Sequence, residues 1–299
     1  MTTVPPPSDP PASLHTHPEV PAGIVPAERP PERPAGTLAA VPAWAPLAAM
    51  IVAFVVATIA YLLIAAVIEA AGGKVTSGGP PGLVISATLV QDAALIAAAL
   101  VFSSIWARGL TPASFGLRPT RFGPAIGWTL LTFVAFWVLT AIYISAVGEP
   151  DQQELTRDLR EEASLSALIG YGVLLAFVAP VAEELFFRGF VFGVLREKIG
   201  VAGGAIATGV VFGLVHVAGS PIETVGVLII LGILLCALYV QTGSLLPCIA
   251  LHAINNSISF AATKSLPWTA GVAIVLASTG AAVAIAAAVT NRPALFSRP

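Results

Sequence analysis

The chain has 299 residues, of which 57% are hydrophobic and only 10% charged, and its mean hydropathy is +0.90. A soluble core cannot hide that much apolar surface, so lipid must be the solvent for much of it. Lys and Arg number 14 against 16 Asp and Glu, which leaves no basic field to hold nucleic acid and excludes that class of partner.

Taken in chain order, residues 1–43 read as a disordered tail, because eleven prolines fall within residues 1 to 36 and such a composition cannot build a core. The start lacks the pattern of a cleaved secretory signal. His15 and His17 read as solvated polar residues of this tail. About eight apolar stretches long enough to span a bilayer follow, near 45–70, 83–106, 123–147, 167–195, 201–218, 224–240, 244–262 and 268–289. The expected fold is therefore all-α, a polytopic membrane helix bundle of about eight transmembrane helices. Its parts are N-terminal transmembrane helices (44–148), an amphipathic acidic surface segment (149–166), a polar-bearing core (167–263), and a last helix with a short tail (264–299). Cys236 and Cys248 lie inside apolar runs without metal-ligand spacing and read as small core residues.

With eight spans, the tails and the loops at 107–122, 196–200 and 241–243 share one side and carry nine basic residues, against four on the other. The positive-inside rule then places both termini in the cytoplasm of a multi-pass cell-membrane protein. No internal repeat of the kind that builds inverted-repeat transporters is apparent.

Ionisable groups inside membrane spans are expensive and point to function. The fourth stretch holds Glu183 and Glu184 side by side. Glu184 and Arg188 stand at i and i+4 on one helix face, where a charge pair offsets part of the burial cost. Glu183 points about 100° away, with no partner in its own helix. The fifth stretch contributes Phe212 and His216, and the seventh His252 and Asn256, again at i and i+4. Counted from the same surface, Glu183 is about 18 Å deep, His216 about 22 Å, His252 about 12 Å and Asn256 about 18 Å. Three helices thus carry polar groups into one slab, which points to a shared cavity. Glu69 and Glu223 read as interfacial, whereas Gln91 and Asp92 in the second stretch find no partner in the sequence, leaving Asp92 as an unexplained intramembrane acid.

The ordered set Glu183-Glu184-x-x-x-Arg188, Phe212-x-x-x-His216 and His252-x-x-x-Asn256 resembles the CAAX protease and bacteriocin-processing (CPBP, or Abi) family, best known for type II CAAX prenyl endopeptidases. The similarity runs from about 167 to 262, with Phe115-Gly116-Leu117-Arg118 as a weaker family feature. The resemblance implies an intramembrane endopeptidase acting on a membrane-associated peptide or protein. Glu183 would activate the attacking water with His216 beside it, His252 and Asn256 would bind the oxyanion, and Glu184, Arg188 and Phe212 would support the site. Some members of the family are described as metalloproteases, and a zinc held by Glu183, His216 and His252 is the alternative to the expected absence of a cofactor. Asn256, a poor metal ligand and a good oxyanion donor, favours direct water activation. The Ala-, Gly-, Pro- and Val-rich composition looks bacterial, where prenylated CAAX substrates are generally lacking, so the chemistry carries over better than the specificity. The competing readings are a proton-coupled transporter and a catalytically silent scaffold or immunity protein of the same fold.

Overall fold

Lipid offers no hydrogen bonds, so a spanning segment must satisfy its backbone internally, as a helix of about 20 residues does. The computed structural model describes residues 36–75, 79–149, 151, 159, 162 and 164–290, which belong to one compact unit, 33–299. Three long helices come first: α1 (Ala45–Ala70), α2 (Pro81–Trp106) and α3 (Phe122–Val147). Helix then runs for 50 residues from Leu165 to Leu214. A straight helix of that length would be more than twice as long as the roughly 30 Å hydrocarbon layer is thick. The run breaks where Ile199 (φ −125°, ψ 15°) and Gly200 (φ 76°, ψ 170°) leave helical conformation, and it parts there into α4 (165–198) and α5 (201–214). The positive φ of Gly200 is one that only glycine adopts freely. The chain continues as α6 (Ile222–Thr242), α7 (Leu245–Thr263) and α8 (Trp268–Thr290).

Among the described residues there is no strand, and six helices, counting 165–214 once, are long and apolar enough to cross a membrane. Parting that run at Gly200 and adding α8 gives eight helices over the eight expected stretches. Large apolar side chains cover the outside of the bundle, such as Leu63 at 63% exposure and Val67 at 68%, a surface stable only in lipid. The chain is a multi-pass helical membrane protein.

Lipid supplies no hydrophobic drive between helices, so they associate where small residues let backbones approach. On α1 the buried positions include Ala45, Ala49, Ala53 and Ala57, a stripe of spacing four that faces α2. At the crossing of α5 and α6, a Cβ on Gly232 would come within 2.7 Å of Gly209 Cα, and one on Gly213 within 2.8 Å of Val225 O. This contact brings the α6 backbone beside Phe212 and, as shown below, beside Arg188.

The loop after α2 is fixed to the turn before α7. Gly116, in left-handed conformation, accepts Leu245 N–H at 2.8 Å. Ser244 Oγ donates to Arg118 O at 2.6 Å, Thr120 Oγ1 donates to Thr242 O at 3.0 Å, and Arg118 Nε donates to Gly243 O. The Phe115–Arg118 stretch therefore clamps the start of α7, and Phe115 O lies so close to Gly189 of α4 that a Cβ there would meet it at 2.8 Å.

Within the expected tail 1–43, Leu38 and Val41 are buried, at 5% and 0% exposure, and pack into the main core. The rest of the expected disordered tail, residues 1–35, and most of the acidic segment 149–166 lie outside the described residues. Of that segment, Leu159 packs against Tyr171 and Phe260, and Lys264 Nζ donates to Leu159 O at 3.0 Å and Glu162 O at 2.8 Å.

Candidate active site

The candidate site is built on α4, whose backbone is irregular on both sides of Glu183 and Glu184. Leu165–Val173 is α-helical, Leu174–Val178 π-helical, Ala179–Glu184 α-helical and Leu185–Phe192 π-helical again. π turns widen the hydrogen-bond ladder and occur often at functional sites. In the π register the donor for Leu175 O is the N–H of residue 180, and residue 180 is proline, which has none. Asn256 fills the vacancy: its Nδ2 donates to Leu175 O at 3.0 Å. One of its two amide N–H groups is thereby committed to holding α7 against α4.

Glu184 and Arg188 are fully buried, and Arg188 Nη1 donates to Glu184 Oε1 at 2.8 Å. Arg188 Nη2 donates to Gly232 O at 3.1 Å, and its guanidinium lies 4.6 Å from the Phe212 ring centroid, within cation–π range. The same Glu184 Oε1 accepts from His252 Nδ1, also at 2.8 Å. A carboxylate paired with arginine can only accept, so the His252 proton sits on Nδ1 and the Nε2 lone pair points the other way. There it faces Glu183: Nε2 and Glu183 Oε2 are 3.8 Å apart. That is too long for a hydrogen bond, but one water about 2.8 Å from each atom bridges such a gap. Glu183 keeps 18% side-chain exposure against 4% for His252, so it is the reachable member of the pair.

His216 Nδ1 bonds to Phe212 O of its own helix at 2.7 Å, which leaves Nε2 as an outward acceptor. Phe212 links the set: its ring centroid is 5.1 Å from that of His216, 5.9 Å from that of His252 and 5.1 Å from that of Phe187. Glu183 and His252 thus approach each other directly, while His216 joins through Phe212 and Asn256 through Leu175. An apolar cavity of about 490 Å³ is lined in part by Gly172, Ala176, Phe177, Phe260 and Ile274.

Residues 165–258 match the family model of type II CAAX prenyl endopeptidase Rce1-like proteins. Over those residues the chain is similar to that family. No curated protein and no solved structure matches the chain. The matched segment runs from the start of α4 into α7 and contains Glu183, Glu184, Arg188, Phe212, His216, His252 and Asn256, and the similarity supports an intramembrane endopeptidase in general terms.

A zinc site from Glu183, His216 and His252 requires the three to converge on one point with free lone pairs. Among the described residues no three His, Cys, Asp or Glu side chains group in that way; Glu184 holds His252 at Nδ1 and leaves Nε2 open, as a carboxylate behind a metal-binding histidine also would. Two features of the site lay outside the sequence reading. One is the Glu184–His252 bond, which joins residues 68 apart. The other is the Leu175 carbonyl, which Pro180 in mid-helix could have flagged, since a membrane helix must re-satisfy the carbonyl its proline orphans.

Proposed function

We propose that the chain is an intramembrane endopeptidase in which Glu183 activates water to hydrolyse a peptide bond of a membrane-associated peptide or protein. The observation that carries this reading is the 3.8 Å approach of Glu183 Oε2 to His252 Nε2, with His252 held from behind by the buried Glu184–Arg188 pair. Water seated between them loses its proton to Glu183 as its oxygen attacks the scissile carbonyl carbon. The carbonyl electrons move onto the oxygen, which the remaining Asn256 N–H stabilises, while His252 Nε2 accepts a hydrogen bond from the attacking water. Collapse breaks the C–N bond, and the proton passes to the leaving nitrogen. The apolar cavity lined by Gly172, Ala176, Phe177 and Phe260 suits an apolar anchor on the substrate. No metal enters this scheme.

The test uses purified full-length protein and a quenched-fluorescence peptide ending in a prenylated CAAX sequence. Glu183→Gln is expected to lower cleavage by about 100-fold or more without changing the melting temperature, because it removes the base and almost no volume. Wild-type activity should survive exhaustive dialysis against a chelator. Equal cleavage by wild type and Glu183→Gln overturns the role of Glu183; loss on chelation with recovery on adding zinc overturns the metal-free scheme.

A further inference from the structure

Asp92 belongs to none of the interactions described so far. It sits on α2 at 2% exposure, and its Oδ2 is buried without a hydrogen-bond partner. A membrane helix keeps such a group at considerable cost, so an orphaned acid there demands an explanation. Its surroundings are defined. Asp92, Leu95, Ala99 and Ser103 are buried positions of α2 at spacings of three and four, and α2 packs against both Ala179–Glu184 and Leu185–Phe192. Asp92 lies about 21 Å along α2 from Trp106, and Glu183 about 22 Å along α4 from Lys198, so the two acids share a depth. Glu183 stands on Ala179–Glu184, the part of α4 that packs against α2. The other titratable groups on α1 and α4, which pack against α2, are Tyr61, Glu69, Tyr171, Glu184, Arg188, Arg196, Glu197 and Lys198.

We propose that Asp92 is a positioning residue of the catalytic centre, forming with Glu183 a pair of acids that holds the proton taken from the attacking water. The inference rests on the endopeptidase reading above and adds a third helix to its machinery. As water attacks, its proton moves to the Glu183 carboxylate, whose new O–H is held by the buried Asp92 oxygen. When the C–N bond breaks, that proton leaves for the amine nitrogen, and both acids return to their starting state. No oxidant, metal or further reactant is required. The unpartnered Asp92 Oδ2 then has its donor at the step where a donor is made.

Two measurements on the full chain in lipid nanodiscs test this. The first is independent of any substrate: infrared difference spectra follow the carboxyl bands through a pH titration of wild type, Asp92→Asn and Glu183→Gln. Coupled acids are expected to shift each other's midpoint by about one pH unit or more, and independent midpoints overturn the pair. The second is the pH profile of kcat on a farnesylated CAAX peptide. Asp92→Asn is expected to lower kcat about tenfold or more at unchanged KM and to move the profile, with Asp92→Glu restoring part of the rate. An Asp92→Asn protein that melts early and loses rate without any movement of the profile marks a structural role and overturns the proposal. Coupled bands in a wild type that cleaves no peptide overturn the endopeptidase reading and leave the acid pair standing.

Discussion

Glu184 accepts from Arg188 and from His252 on one and the same oxygen, each at 2.8 Å, while its neighbour Glu183 keeps the open face. Two adjacent glutamates thus differ in surroundings, one holding its neighbours and one open, as the proposed role of Glu183 requires, and the difference follows from the roughly 100° between successive residues on a helix. The holding role is the structural one. Glu184→Gln leaves a fully buried guanidinium without its counter-charge, and breaking such a pair costs about 3–5 kcal/mol, so a clear drop in melting temperature in detergent is expected where Glu183→Gln produces none. Arg188→Lys should fall with it, because Nη1 and Nη2 serve Glu184 and Gly232 together and an ammonium is a point charge that cannot span both. Unchanged melting of Glu184→Gln would show that this pair does not brace the site. Sequence spacing made the Glu184–Arg188 pair legible, since i and i+4 is a local rule. It could not show that the same carboxylate aims His252, or that Asn256 is committed to Leu175, because both contacts depend on how distant helices pack.

At the scale of elements, apolar runs and their Gly and Pro punctuation were enough to place the helices, because bilayer thickness fixes the length of a span. The irregular turns of α4 were not legible: π and α register share the same apolar composition, and the difference shows only in which carbonyl lacks a donor. Helix contacts were equally hidden, although the i and i+4 spacing of Gly209 and Gly213 is the small-residue pattern that lets membrane helices touch. That contact sets the site, since Gly232 O reaches Arg188 only while α6 lies against α5. Gly213→Ala should therefore impair the protein, as its Cβ would stand 2.8 Å from the Val225 carbonyl and force two backbones apart. Gly127→Ala on α3 meets nothing within 4 Å and is expected to be neutral or to stabilise by about 0.5–1 kcal/mol, the usual helical preference for alanine. Parallel melting curves and peptide-cleavage rates for the two variants check the contrast, and equal behaviour would remove the α5–α6 contact from the account of the site.

For the whole molecule, the parity of crossings decides where the termini lie, and parity turns on the break at Ile199 and Gly200. Loop contacts bear on this independently of charge counting. Gly36 N–H donates to Arg108 O at 2.8 Å, Lys198 Nζ donates to Ala39 O at 2.8 Å, and Thr120 Oγ1 donates to Thr242 O at 3.0 Å. The segment before α1, the α2–α3 loop, the α4–α5 bend and the α6–α7 turn therefore meet at one end of the bundle. Lys264, bonded to Leu159 and Glu162 carbonyls, joins the α7–α8 turn to the segment before α4 at the other end. The first end carries Arg108, Arg118, Arg121, Arg196 and Lys198, and an excess of basic residues in short loops is retained in the cytoplasm. Single cysteines test the assignment without disturbing the native thiols, because Cys236 and Cys248 are both at 0% exposure. In intact bacterial cells, Lys74→Cys and Glu149→Cys are expected to react with an impermeant maleimide. Glu197→Cys and Gln241→Cys should react only after the membrane is opened, and the reverse pattern would invert the protein in the bilayer and place the basic loops outside.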